Sequence, residues 1–90
     1  MAMNDEQEVD ATLRAVLADV LGLDEGRVAG FDESTALFGA LPEFDSMAVA
    51  GLLTELEERL GILIEDHEVD AEMLESFGSL LNFLRAKALR

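Results

Sequence analysis

The stretch Pro42-Glu43-Phe44-Asp45-Ser46-Met47 separates two kinds of sequence. Before it, residues 23–44 show no sustained hydrophobic period and hold three glycines, the chain's single proline and the scattered apolar residues Val28, Phe31, Leu37, Phe38 and Phe44. After it, Val49, Leu52, Leu53, Leu56 and Leu60 recur at the three-to-four spacing of an amphipathic helix. A helix is therefore expected from Ser46 to about Leu60, closed by Gly61. Asp45 and Ser46 are both good N-cap residues, and either could accept a backbone N–H at that helix start. Capping explains why such residues stand there. It leaves open why a hydroxyl heads the helix with no base beside it: the only histidine, His67, lies in a distant acidic run, and no lysine precedes Lys87. A serine nucleophile needs a base within hydrogen-bond reach, so no catalytic residue is assigned.

Toward the N-terminus, Val9, Leu13, Val16, Leu17, Val20 and Leu21 form another helical stripe, with Gly22 as its stop. Toward the C-terminus, an apolar run at Ile62–Ile64 leads to a short helix around Asp70–Leu74. Ser76 is then placed to cap a last helix carrying Phe77, Leu80, Leu81 and Leu84. Gly51 inside the serine-headed helix costs about 1 kcal/mol relative to alanine unless it allows close packing. The expectation is an all-α four-helix bundle of three main helices and one short one, with a long loop between the first two main helices. Crossover connections of that kind are accepted in helical bundles. Ninety residues suffice for one core, so residues 1–90 are read as a single domain.

Half of the residues are hydrophobic, enough to fill that core, while the formal charge is -14. An anionic field of this size repels nucleic acid and acidic membranes and draws in basic protein surfaces. The absence of cysteine removes disulfides, thiolate metal sites and any intrinsic thiol nucleophile. The acidic start MAMNDEQEVD is unlike a secretory signal, and no apolar stretch approaches the ~20 residues of a membrane span. A cytoplasmic, monomeric protein is expected. Asp66, Glu68, Asp70 and Glu72 alternate like the opening of a calcium loop, but Ala71 stands where glycine is needed and Phe77 where a bidentate glutamate is needed. No metal site is assigned, and the carboxylates are read as a solvated face.

From Glu43 to Glu75 there are 11 acidic residues against one basic residue, Arg59. Ser46 thus heads an anionic face, at a helix N-terminus whose unpaired N–H groups and dipole favour an attached phosphate. Asp45-Ser46-Met47, followed by an apolar helix ending LEERLGI, resembles the acyl carrier protein family, in which Asp-Ser-Leu opens the second helix. The likeness extends over nearly the whole chain, from a first helix ending in LGL to a short helix before the last.

The resemblance implies that Ser46 is the attachment point of 4'-phosphopantetheine, with Asp45 as its motif neighbour. A phosphopantetheinyl transferase, using coenzyme A and a divalent metal, would supply the arm, and its thiol would hold an acyl group as a thioester. The bundle interior could shelter an apolar chain. Partner enzymes that load or transfer acyl groups would present basic docking surfaces to Glu55, Glu57 and Glu58, with Met47 and Val49 as apolar contacts. The chain departs from many fatty-acid-synthesis carriers at Ala48 and Gly51, where they carry acids, and in the longer approach GALPEFDS. The run FGALPEFDSMAVAGLLTELEERLGI is similar to specialised bacterial carriers associated with exosortase and exopolysaccharide loci. Two other readings stand beside this one: an aminoacyl or peptidyl carrier, and an unmodified acidic helical module that binds a basic protein.

Overall fold

The computed structural model describes residues 5–89, and its elements follow the caps and stripes of the sequence. Helix α1 runs over Glu6–Leu21: the Asp5 side chain accepts the Glu8 N–H at its start, and Gly22 ends it in the left-handed region at φ 67. Helix α3 spans Ser46–Leu60 and ends in the same way at Gly61, φ 66. A short helix α4, Ala71–Leu74, starts where Asp70 accepts the Met73 N–H at 2.8 Å. Helix α5, Phe77–Ala88, is capped by Ser76, which exchanges hydrogen bonds with Ser79. These elements match the expected all-α bundle, and no helix among the described residues is long and apolar enough to cross a membrane.

The core forms where the three long stripes meet. Val9, Leu13, Val16 and Leu17 of α1, Leu52 and Leu56 of α3, and Leu80 and Leu84 of α5 are all buried. Each such side chain contributes roughly 1.5–3 kcal/mol by leaving water. Gly51 sits at the α1–α3 contact, and a Cβ there would lie 3.6 Å from Val20 Cγ1, an ordinary distance. It is tolerated there without being sterically required.

The segment between α1 and α3 is more ordered than its lack of period suggests. It contains a helix α2, Glu25–Ala29, opened by the Asp24 side chain, which accepts the Arg27 N–H. Arg14 of α1 closes the other end: its Nη1 donates to the carbonyls of Val28 at 2.7 Å and Ala29 at 3.3 Å. A cation at a helix C-terminus satisfies carbonyls that have no intrahelical donor. Five residues are too few to generate a readable stripe, which is why α2 is silent in the pattern. A single 3-10 turn at Asp66–Glu68 is missed for the same reason.

Beyond α2 the segment is fastened to the α4–α5 junction by four backbone hydrogen bonds. Leu37 N–H donates to Glu75 O at 2.8 Å and Phe38 N–H to Leu74 O at 3.1 Å. In return, Phe77 N–H donates to Thr35 O at 2.8 Å and Gly78 N–H to Glu33 O at 3.0 Å. The approach is close enough that a Cβ on residue 78 would stand 2.7 Å from Glu33 O, so glycine is sterically required at that position. Leu37 and Phe31 fill the space beneath, with the Phe31 and Phe77 rings edge to face at 6.2 Å. The loop thereby holds the residues that precede α3 in a fixed path.

Candidate functional site

Both Asp45 and Ser46 could have capped α3, and the structure gives the task to Asp45. Asp45 is extended (φ -98, ψ -177), and its Oδ1 accepts the Ala48 N–H at 2.9 Å while its carbonyl accepts from Val49 N–H at 3.0 Å. Ser46 becomes the first residue of the helix, and it is exposed. Among the described residues no group hydrogen-bonds to its hydroxyl, and the N–H groups of Ser46 and Met47 have no acceptor. A bare hydroxyl therefore lies next to two unpaired amides at the positive end of a helix dipole. Met47, the next residue, is 85% exposed.

The approach to Ser46 is apolar and folded back on itself. The N–H groups of Ala40 and Leu41 both donate to Leu37 O, at 3.0 and 2.9 Å, and Phe44 N–H donates to Leu41 O at 3.0 Å. Gly39 allows this winding with φ 92, a left-handed value that other residues rarely adopt. Phe44 is buried and meets the partly exposed Phe38 edge to face at 5.6 Å. Together with Leu41 and Pro42 they line an open hollow of about 430 Å³ that reaches Asp45 and Ser46. Glu43 leans away toward Arg27 of α2, 3.6 Å from its guanidinium.

The acidic residues of α3 differ in how far they are engaged. Glu55 Oε1 accepts from Arg59 at 3.0 Å, and Arg59 also donates to Asp19 of α1 at 2.9 Å. Glu57 is half-buried, and its Oε2 accepts the Ile64 N–H at 2.8 Å, tying the chain that leaves α3 back to the helix. Glu58 is exposed. Val49 is half-buried against the core, whereas Met47 stands clear of it. His67 is on the 3-10 turn beside Glu65, at 3.9 Å. Among the described residues no group of three or more His, Cys, Asp or Glu side chains is arranged to hold a metal ion.

Two contacts leave little mark in the sequence. The first is the pairing of Phe38 with Phe44, signalled only by the apolar character of an unusually long approach to the serine. The second is the Lys87–Glu68 pair, in which Nζ donates to both carboxylate oxygens at 2.8 and 2.9 Å and binds the 3-10 turn to α5. The Lys87 ammonium is the main reason the Glu68 carboxyl is held below its ordinary pKa, helped by the Glu65 N–H. The first lies within an aperiodic loop and the second joins residues 19 apart, so neither leaves a periodic signature.

The site is thus a helical scaffold that leaves an exposed hydroxyl unengaged at the head of a helix, with no base beside it among the described residues. Residues 11–84 match the family described as the phosphopantetheine attachment site. The fold is similar to the solution structure of a holo acyl carrier protein from Nitrosomonas europaea, with a TM-score of 0.78 and 39% sequence identity over 89% of this chain and 94% of that one. The chain belongs to the acyl carrier protein family. It is a carrier and not an enzyme, and its cofactor is a covalently attached phosphopantetheine. Carriers of this family interact with phosphopantetheinyl transferases and acyl-handling enzymes. The residues present fit the group: Ser46 offers an accessible oxygen, the Ser46 and Met47 amides face an anion favourably, and no side chain of the described residues takes the hydroxyl as partner.

Proposed function

We propose that Ser46 is the attachment residue and that the chain, acting as one carrier domain over residues 1–90, carries acyl groups between partner enzymes. The observation that carries this is the division of labour at the head of α3, where Asp45 caps the helix and leaves the Ser46 hydroxyl exposed and unbonded. When attached, the group supplies a thiol, absent from a chain without cysteine, on which an acyl group is held as a thioester. The protein's own part is to present the oxygen, to stabilise the neighbouring negative charge with the helix N-terminus, and to dock its partners.

Docking is assigned to Met47 and Val49 as apolar contacts and to Glu55, Glu57 and Glu58 as acids for basic enzyme surfaces. Glu58 is the most accessible of the three acids, since Glu55 is shared with Arg59 and Glu57 with the Ile64 amide. Exposed charge pairs of this kind speed encounter more than they deepen affinity, which suits a carrier that must leave each enzyme. The transferase, which draws the arm from coenzyme A, is the first such partner. The protein works as a monomer in the cytoplasm.

Incubation with a promiscuous phosphopantetheinyl transferase, coenzyme A and magnesium, followed by intact-mass measurement, tests the assignment. Wild type gains the mass of one arm, and Ser46→Ala gains none. Addition that persists in Ser46→Ala, or its absence in wild type, overturns the assignment. Loading of the holo protein by fatty-acyl ligases and refusal by amino-acid ligases is the expected result for an acyl cargo. The reverse pattern makes it an aminoacyl carrier.

A further inference from the structure

The hollow lined by Phe38, Leu41, Pro42 and Phe44 opens directly onto Ser46, at the one place in the molecule where a tethered group would be anchored. We propose that this loop hollow, formed by the long approach to α3, is the resting berth of the phosphopantetheine arm. The proposal rests on the assignment of Ser46 as the attachment residue.

Three observations support it. First, Phe38, Leu41, Pro42 and Phe44 give the hollow an apolar side about as extensive as its polar one, and its single charged lining residue, Asp45, already accepts the Ala48 N–H. The arm carries a dimethyl-substituted carbon and two amides beyond its phosphate, so it suits a wall of mixed polarity with little competing charge. Second, the walls are preformed: Leu37 O receives the N–H groups of Ala40 and Leu41, and the Phe38 and Phe44 rings brace each other edge to face. A preformed wall reduces the ordering needed on contact, and the tether supplies a high local concentration that lets weak contacts hold. Third, the alternative is less suitable. Phe38 separates this hollow from another of about 330 Å³ that is lined by Ala71, Glu72 and Glu75 and does not include Ser46. Two carboxylates there oppose an arm whose root is an anion. Phe38 is thus the wall that steers the arm to one side.

The test is isotope-filtered NMR on holo protein, with a labelled polypeptide and an unlabelled arm, after intact mass has established full modification. Expected are cross-peaks from the arm's methyl protons to the Phe38 and Phe44 rings and the Leu41 methyls. Apo-to-holo shift changes should concentrate over residues 38–46. Phe38→Ala, which removes a partly exposed ring, and Leu41→Asn should each reduce these cross-peaks and sharpen the arm's signals. Cross-peaks to Ala71 and Met47 instead, or an arm that is modified but touches nothing, overturn the berth and leave the Ser46 assignment standing. A protein that takes no arm overturns both.

Discussion

The two ends of α3 receive opposite treatment. At its C-terminal end almost every polar group is engaged: Gly61 closes the helix, Glu57 accepts the Ile64 amide, and Arg59 joins Glu55 to Asp19 of α1. At its N-terminal end the cap alone is satisfied, and Ser46 and Met47 project into solvent with no partner for the hydroxyl. The C-terminal end contributes stability, and the N-terminal end is where the proposed attachment takes place. On that proposal a residue is functionally indispensable while its loss leaves the fold intact, because the neighbouring residue carries the structural task.

Substitutions can break or sharpen that contrast. The largest change in stability is expected away from the serine, at the fastening of the loop. Gly78→Ala drives a Cβ to 2.7 Å from Glu33 O, and overpacking of this kind costs on the order of 1–3 kcal/mol. Chemical denaturation measures it, and a variant as stable as wild type would show that the loop yields freely. Next is Asp45→Ala, which removes the cap and is expected to cost about 1 kcal/mol. Ser46→Ala should stay within roughly 0.5 kcal/mol of wild type in the same assay, as surface substitutions do. Equal losses at residues 45 and 46 would erase the division of labour between them.

The smallest effect is a pH dependence at Glu68. Its carboxyl titrates below its ordinary value because the folded state pairs it with Lys87. A depressed folded pKa stabilises the protein above the unfolded value, and that contribution is lost as pH falls through the folded one. The stability difference between wild type and Glu68→Gln should accordingly be greatest at neutral pH and fade in acid. A difference that is constant from neutral pH to below the carboxylate range would contradict the pairing.

The helices α1, α3 and α5 were legible because each combines an apolar stripe with a capping residue, and Ser46 was legible because the stripe starts at it. Between Asp45 and Ser46 the cap could not be assigned from residue type, since aspartate and serine are comparably good N-caps. Helix α2 left no signal, for one turn has no period, and its C-terminal support comes from Arg14, 14 residues earlier in the chain. The fastening of residues 33–38 to residues 74–78 uses backbone groups that every residue possesses, so only the glycine at position 78 marks it, and ambiguously. The engagement of Glu57 with Ile64 was hidden likewise: a surface acid and a structural acceptor are the same letter.

The central claim, that Ser46 alone accepts the arm, meets its most direct test in protein isolated from its native host. Proteolysis and tandem mass spectrometry would place the modification among the chain's hydroxyl groups. It is predicted on Ser46, with Thr12, Ser34, Thr35, Thr54, Ser76 and Ser79 bare. An arm found on any of those residues, or a native protein with an unmodified Ser46 under all growth conditions, would contradict it.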